Sequence, residues 1–257
     1  MPERFSDRHG FRGPPVEITI RNEAPESLRF AVAELAAAAG LSPARMRDIV
    51  CRILLAAPDA GNWSDPNISR EVQFLLADCP WYKVYDVAEA FSTAIRFDKA
   101  EQFKSELNQF FQDAGIGWQL THEGIVFRGD EVFDTTMAEA GRVLIGAGRR
   151  AAANEIHEAL KDISRRPSPD ITGAVQHAVA ALECTARESV GDANGTLGAL
   201  LPRLQLPKPL DAAVEKLWGF ASDRARHIRE GQTVNDVDAQ LLVSVSCAVC
   251  IFLTKRA

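Results

Sequence analysis

The sequence has no excess of basic residues. Lysine and arginine number 29 against 35 aspartates and glutamates, a formal net charge of −6 at pH 7. Nonspecific coating of nucleic acid depends on neutralising many phosphates at once, so that mode is excluded and any RNA contact has to be local. The mixed charges of Met1-Pro2-Glu3-Arg4-Phe5-Ser6-Asp7-Arg8 are followed by no apolar leader, which argues against secretion. Long hydrophobic runs are missing too. The longest, Leu241 to Leu253, contains Ser244 and Ser246, is too short to span a bilayer and reads as a buried helix. Cysteine is scarce: Cys51, Cys79, Cys184, Cys247 and Cys250 are odd in number and scattered, which implies no disulfide framework and fits a reducing cytosol. A soluble cytoplasmic protein without a membrane segment is expected.

Chemical signatures are equally sparse. Gly141 to Gly148 bears glycines but lacks the Gly-Lys-Ser/Thr ending of a phosphate-binding loop and follows a helix rather than a strand. Cys247-Ala-Val-Cys250 has zinc or redox spacing, yet it lies in an apolar helix without a second ligand pair, so two buried small cysteines are the better reading. No histidine pair has metalloprotease spacing and no Gly-x-Ser-x-Gly elbow exists. No metal and no cofactor is expected.

What is present is a globular composition, 46% hydrophobic and 25% charged, in a chain long enough for two domains of ordinary size. Ser42 with Pro43 behind it predicts a helix start, and Met46, Ile49, Val50, Ile53 and Leu54 recur at helical spacing after it. Val72, Leu75 and Leu76 mark the next helix, which Cys79-Pro80 ends. Helices follow at Trp81 to Ile95 and at Phe103 to Phe111. Trp118-Gln119-Leu120 and Ile125-Val126-Phe127 flank a turn at Gly124 and predict a β-hairpin near 117–129, on the surface and packed against a helix. Two more helical stretches run through Leu144 and Ile163. Arg165-Arg166-Pro167-Ser168-Pro169-Asp170 cannot continue a helix and is the best linker, so the domain boundary is placed there, between 1–166 and 170–257. The remainder reads as four helical pieces: around Val175 to Ala186 and closed by Gly191-Asp192, around Thr196 to Leu201, from Ala213, and over Leu241 to Leu253. The expected fold class is mostly α, with one small hairpin in the first domain and a four-helix module in the second.

One dense polar cluster stands out, Ser222-Asp223-Arg224-Ala225-Arg226-His227-Ile228-Arg229-Glu230-Gly231. On a helix, Asp223 and His227 share a face at i,i+4, where the carboxylate can orient the imidazole. Arg224 and Arg226 flank them. A proton-transfer group beside cationic donors suits phosphodiester chemistry. By composition alone, the commoner explanation of such a cluster is a solvated helix end with ordinary ion pairs.

Gln176-His177-Ala178-Val179-Ala180-Ala181-Leu182-Glu183-Cys184, Thr196-Leu197-Gly198, Leu217-Trp218-Gly219-Phe220-Ala221-Ser222-Asp223 and Arg226-His227 together resemble the HEPN domain of abortive-infection proteins of the AbiJ group. The N-terminal part resembles an AbiJ N-terminal domain through Phe5-Ser6-Asp7-Arg8-His9-Gly10-Phe11 and Trp81-Tyr82-Lys83-Val84-Tyr85-Asp86. The resemblance implies a HEPN-like helical module that dimerises and, in active members, cleaves RNA without a metal by attack of the 2′-hydroxyl on the adjacent phosphate. The implied site residues are His227, Arg226, Asp223 and Arg224, with Glu183 facing the cluster or paired with Arg187 on the surface. The sequence departs from the family signature in having no Arg separated from His227 by four to six intervening residues; Arg150 and His157, with six between them, meet that spacing, but outside the resembling region. Two functional classes follow: an antiphage RNase effector acting as a homodimer through its C-terminal domain, or a catalytically inactive HEPN-like dimerisation and scaffolding module. A regulatory subunit bound to a partner protein of a defence system is a third.

Overall fold

A computed structural model of the chain describes residues 5–9, 16–165, 168–221 and 234–256. It is mostly helical with one small antiparallel hairpin, as the periodicity predicts, and divides into two compact units, 1–126 and 127–257.

The first unit holds α1 (Phe5–Arg8), α2 (Glu26–Ala38), α3 (Pro43–Leu54), α4 (Asp65–Asp78), α5 (Trp81–Ala94) and α6 (Phe97–Asp113), then β1 (Trp118–Thr121) and β2 (Gly124–Phe127). The Ser42 hydroxyl accepts from Arg45 N at 3.3 Å, with Pro43 at the first helical position, so α3 starts where its cap predicts. It stops at Leu55, which takes a left-handed conformation with φ 55°. Cys79 caps α4 in extended geometry ahead of Pro80. Phe91, Phe103 and Phe111 are fully buried and fill the core between α5 and α6. The Tyr85 hydroxyl donates to Glu23 O at 2.9 Å, and burial pushes that phenol well above its ordinary range.

The hairpin packs on α6, but it is not a surface ornament. Trp118 and Leu120 alternate inward and are buried. Asn108 of α6 pairs with the strand as another strand would: its amide donates to Leu120 O at 2.9 Å and its side-chain oxygen accepts from Leu120 N at 2.6 Å. A parallel bridge joins Ile20 to Ile116, and Gly115 (φ 65°) lets Glu17 O approach where a Cβ would sit.

The second unit holds α7 (Glu131–Gly146), α8 (Arg150–Ser164), α9 (Ile171–Val190), α10 (Leu197–Leu200), which runs into a 3₁₀ turn at Leu201–Leu204, α11 (Leu210–Ala221) and α12 (Asp236–Arg256). α9 is central, with α8 and α12 lying along it and α12 also packing on α7. Ala174, Ala178, Ala181 and Ala186 of α9 have no exposed surface, and Ala152 and Ala159 of α8 have none either. These short side chains let the helix axes come close. Ile156, Ile163, Val243, Cys247, Cys250 and Leu253 fill the remaining space from α8 and α12.

The boundary expected at 165–170 does not coincide with the division between units. Prolines there interrupt a helix, yet α8 and α9 form a packed helical hairpin, so the chain turns back without leaving its core. The apolar run read as too short for a bilayer also lies in a longer helix than expected. α12 has 21 residues and, by length and composition alone, could cross a membrane. Its Leu242, Val243, Ser246, Cys247, Cys250 and Leu253 are buried within the unit, while Val237 and Leu241 are exposed. Cys247 and Cys250 are the inert buried thiols expected; burial pushes Cys250 up to about 12.

Because the seam of α9 is built for alanine, Ala181→Leu should destabilise the protein by about 1–3 kcal/mol through overpacking. Leu at Ala180, half-buried on the same helix, should cost less. Paired urea titrations read the difference, and equal effects would contradict the seam.

Candidate functional site

The polar cluster containing Asp223, Arg224, Arg226 and His227 lies outside the described residues. What is described is its frame. Ala221 at the end of α11 and Val234 just before α12 are both buried, in one apolar cluster with Ala239, Leu242 and two α9 residues, Val175 and Val179. The flanks of the 222–233 segment are therefore held on the same face of α9.

Glu183 follows Val175 and Val179 at four-residue steps along that helix. Its carboxylate pairs with Arg187 and accepts from Leu197 N at 3.0 Å. Arg187 Nε in turn donates to Gly195 O at 2.8 Å. The pair thus ties the loop after Gly191 and the start of α10 to α9, which is the surface pairing weighed for it above. Gly198 on α10 faces the Trp218 ring, which a Cβ there would meet at 3.1 Å. This contact links two of the segments that carry the HEPN resemblance. Trp218 Nε1 is buried with no hydrogen-bond partner among the described residues.

Arg150 and His157 lie on one helix, about 10 Å apart along its axis at 1.5 Å per residue. Arg150 is exposed. The neighbouring Arg149 is the buried one: it donates to Thr185 O at 3.2 Å and Ser189 Oγ at 2.9 Å, and lies 3.6 Å from Glu188. It satisfies groups near the C-terminal end of α9, where a cation is favoured.

One charged cluster escaped sequence reasoning. His177 Nδ1 is 2.7 Å from Glu155 and its Nε2 is 3.5 Å from Asp162, whose side chain is only 5% exposed. Arg165 reaches Asp162 at 3.2 Å and Asp170 at 3.3 Å. Asp170 N donates to Asp162 O at 3.0 Å, and Gly173 leaves room for the Asp162 carboxylate. Both imidazole nitrogens face carboxylates, so no ring nitrogen is turned to a substrate. The arrangement fastens the α8–α9 hairpin. No spacing rule could reveal it, since the partners sit 22 residues apart on two helices. Among the described residues no group of acidic, histidine or cysteine side chains is arranged to hold a metal ion.

The first unit contains a cavity of about 790 Å³ between the end of α3, the following loop and α4. The loop is anchored by Glu71, which accepts from Asp59 N at 2.7 Å, Asn62 Nδ2 at 3.0 Å and Arg47 at 3.3 Å. Burial would raise the Glu71 carboxyl, but these three donors together hold it below its ordinary value.

Residues 3–141 match the family described as AbiJ N-terminal domain 4, a match that takes in the first unit and continues into α7. No curated protein and no solved structure matches the chain.

A carboxylate whose folded pKa is depressed contributes stability above its unfolded value, near 4.5, and loses it as the pH falls through the folded one. Glu71→Gln should therefore lower Tm at pH 7, and the gap to the parent should narrow below about pH 4.5. Thermal melts across pH 3–8 test this. A gap independent of pH would show that the carboxylate charge does not anchor the loop.

Proposed function

The chain belongs to the AbiJ N-terminal domain 4 family, and from this abortive-infection context we propose that it is a cytoplasmic antiphage effector whose C-terminal unit is a metal-independent HEPN-type endoribonuclease. The observation that carries the reading lies in the described residues on either side of the polar segment. Ala221 and Val234 are buried in one apolar cluster with Val175 and Val179 of the central helix. A rigid frame is what positions catalytic side chains carried on a connection.

In this reading the RNA 2′-hydroxyl attacks the adjacent phosphorus and the bond to the 5′-oxygen breaks. His227 takes the proton of the 2′-hydroxyl, and water protonates the leaving 5′-oxygen. Arg226 and Arg224 stabilise charge on the phosphoryl oxygens, and Asp223 orients the imidazole. Glu183, through Arg187 and Leu197, is a positioning residue that sets α10 against α9. The products are a 2′,3′-cyclic phosphate and a 5′-hydroxyl. DNA lacks the nucleophile and is not a substrate. The active form is a homodimer through the C-terminal unit. Exposed Val237, Leu241 and Phe252 on α12 supply an apolar surface that favours self-association.

A second reading, an inactive HEPN-like dimerisation or scaffolding module serving a defence partner, is favoured by the absence of an Arg separated from His227 by four to six intervening residues. The two separate in one experiment. Total RNA incubated with the purified chain in EDTA should yield cyclic-phosphate ends. His227→Ala should abolish cleavage with Tm unchanged, Arg226→Ala should do nearly the same, and Asp223→Asn should cause a smaller loss. Intact RNA at every protein concentration supports the scaffold, while undiminished cleavage by His227→Ala places the chemistry elsewhere.

A further inference from the structure

The cavity of the first unit contains none of the residues assigned above to RNA cleavage, and its lining points to a ligand of its own. At about 790 Å³ it lies in the range of small-molecule and short-peptide sites. One wall is a face of α4 on which Arg70, Phe74 and Asp78 follow one another at four-residue steps. Facing them are Leu54 and Ala57 from the end of α3 and the loop beyond.

The charges on this wall are not used internally. Asp59 and Glu71, which also line the cavity, are engaged in holding the loop: Asp59 accepts from Gly61 N at 2.8 Å, and Glu71 takes the three donors described above. Arg70 and Asp78 have no hydrogen-bond or ion-pair partner among the described residues, and both are exposed. Between them the Phe74 ring is 63% exposed, although it lies beside the apolar surface of Leu54 and Leu75. Nearby on the α3–α4 loop, Leu55 and Trp63 are 92% and 84% exposed. A rigid loop, an uncovered aromatic ring and unpaired charges of opposite sign at its two sides form a prepared surface.

The sign pattern selects the ligand. Among the described residues Arg70 is the one lining cation, against Asp59, Glu71 and Asp78. A nucleotide or another polyanion would meet net repulsion. A zwitterion meets a cation at one end and an anion at the other. Eight residues of helix at 1.5 Å each separate Arg70 from Asp78 by about 12 Å. An extended peptide covers about 3.3–3.6 Å per residue, so three to four residues fill that distance.

We propose that this cavity binds a free oligopeptide of three to four residues, with its carboxylate on Arg70, its ammonium on Asp78 and an apolar side chain over Phe74. The first unit is then a peptide-sensing module, a role that stands whether or not the second unit cleaves RNA. The guanidinium recognises the carboxylate in a two-pronged fashion that a lysine would not reproduce.

The test uses the full chain and the tetrapeptide Ala-Leu-Leu-Ala in calorimetric titration. The free peptide should bind, and acetylating its amino end or amidating its carboxyl end should each weaken binding about tenfold. Arg70→Gln should weaken the free peptide and erase the penalty for amidation, while Asp78→Asn should do the same for acetylation. Phe74→Ala should weaken every form. All three side chains are exposed, so Tm should not move. Weakening by amidation alone would assign the site to the C-terminus of a protein and overturn the free-peptide assignment. No heat at millimolar peptide, equal binding of the doubly capped peptide, or displacement of the peptide by AMP overturns the proposal altogether.

Discussion

Close approach of helices to α9 is the constraint from which the rest of the second unit follows. Four alanines of that helix are fully buried, and only side chains so short let α8 and α12 lie along it with α7 behind. Dispersion contacts of many atoms, each small, then add up across a tight seam. A seam of alanines specifies distance but not register, because one alanine resembles the next. Register is set by the polar residues at its ends. His177 with Glu155 and Asp162 fixes one end of the α8–α9 hairpin, and Arg149 on Thr185 and Ser189 fixes the other.

This division of labour bears on function. The histidine and charged side chains that α9 carries in the described structure are occupied in holding helices together, including Glu183, which ties down the start of α10. The proposed function assigns chemistry on RNA to the densest polar run of the sequence, Asp223 to His227. The first unit shows the same logic. Glu71 and Asp59 are used to stiffen the α3–α4 loop, and Arg70 and Asp78 on the adjoining wall have no partner among the described residues.

The sequence made legible whatever is local. Ser42 with Pro43, Cys79 with Pro80, Gly191 and the two strands around Gly124 act through neighbours a few residues away, and each appears where expected. Over α2 the sequence carries no clear helical signal, because Pro25 provides no side-chain cap and alanine on several faces blurs the period. Pro167 and Pro169 signal the end of a helix, but the same signal serves a domain boundary and a tight helical hairpin. Only the long-range packing of α8 on α9 distinguishes them. The Glu155–His177 contact and the charge pattern around Phe74 depend on which helix faces meet, a property no spacing rule reports.

We place both a self-sufficient core and the chemistry on RNA in the C-terminal unit. Residues 127–257, expressed alone, test this placement most directly. The fragment should unfold in one cooperative transition and should cleave RNA in EDTA, with cyclic-phosphate ends that vanish on His227→Ala. A cooperatively folded fragment that leaves RNA intact, under conditions where the whole chain cuts it, would contradict the account.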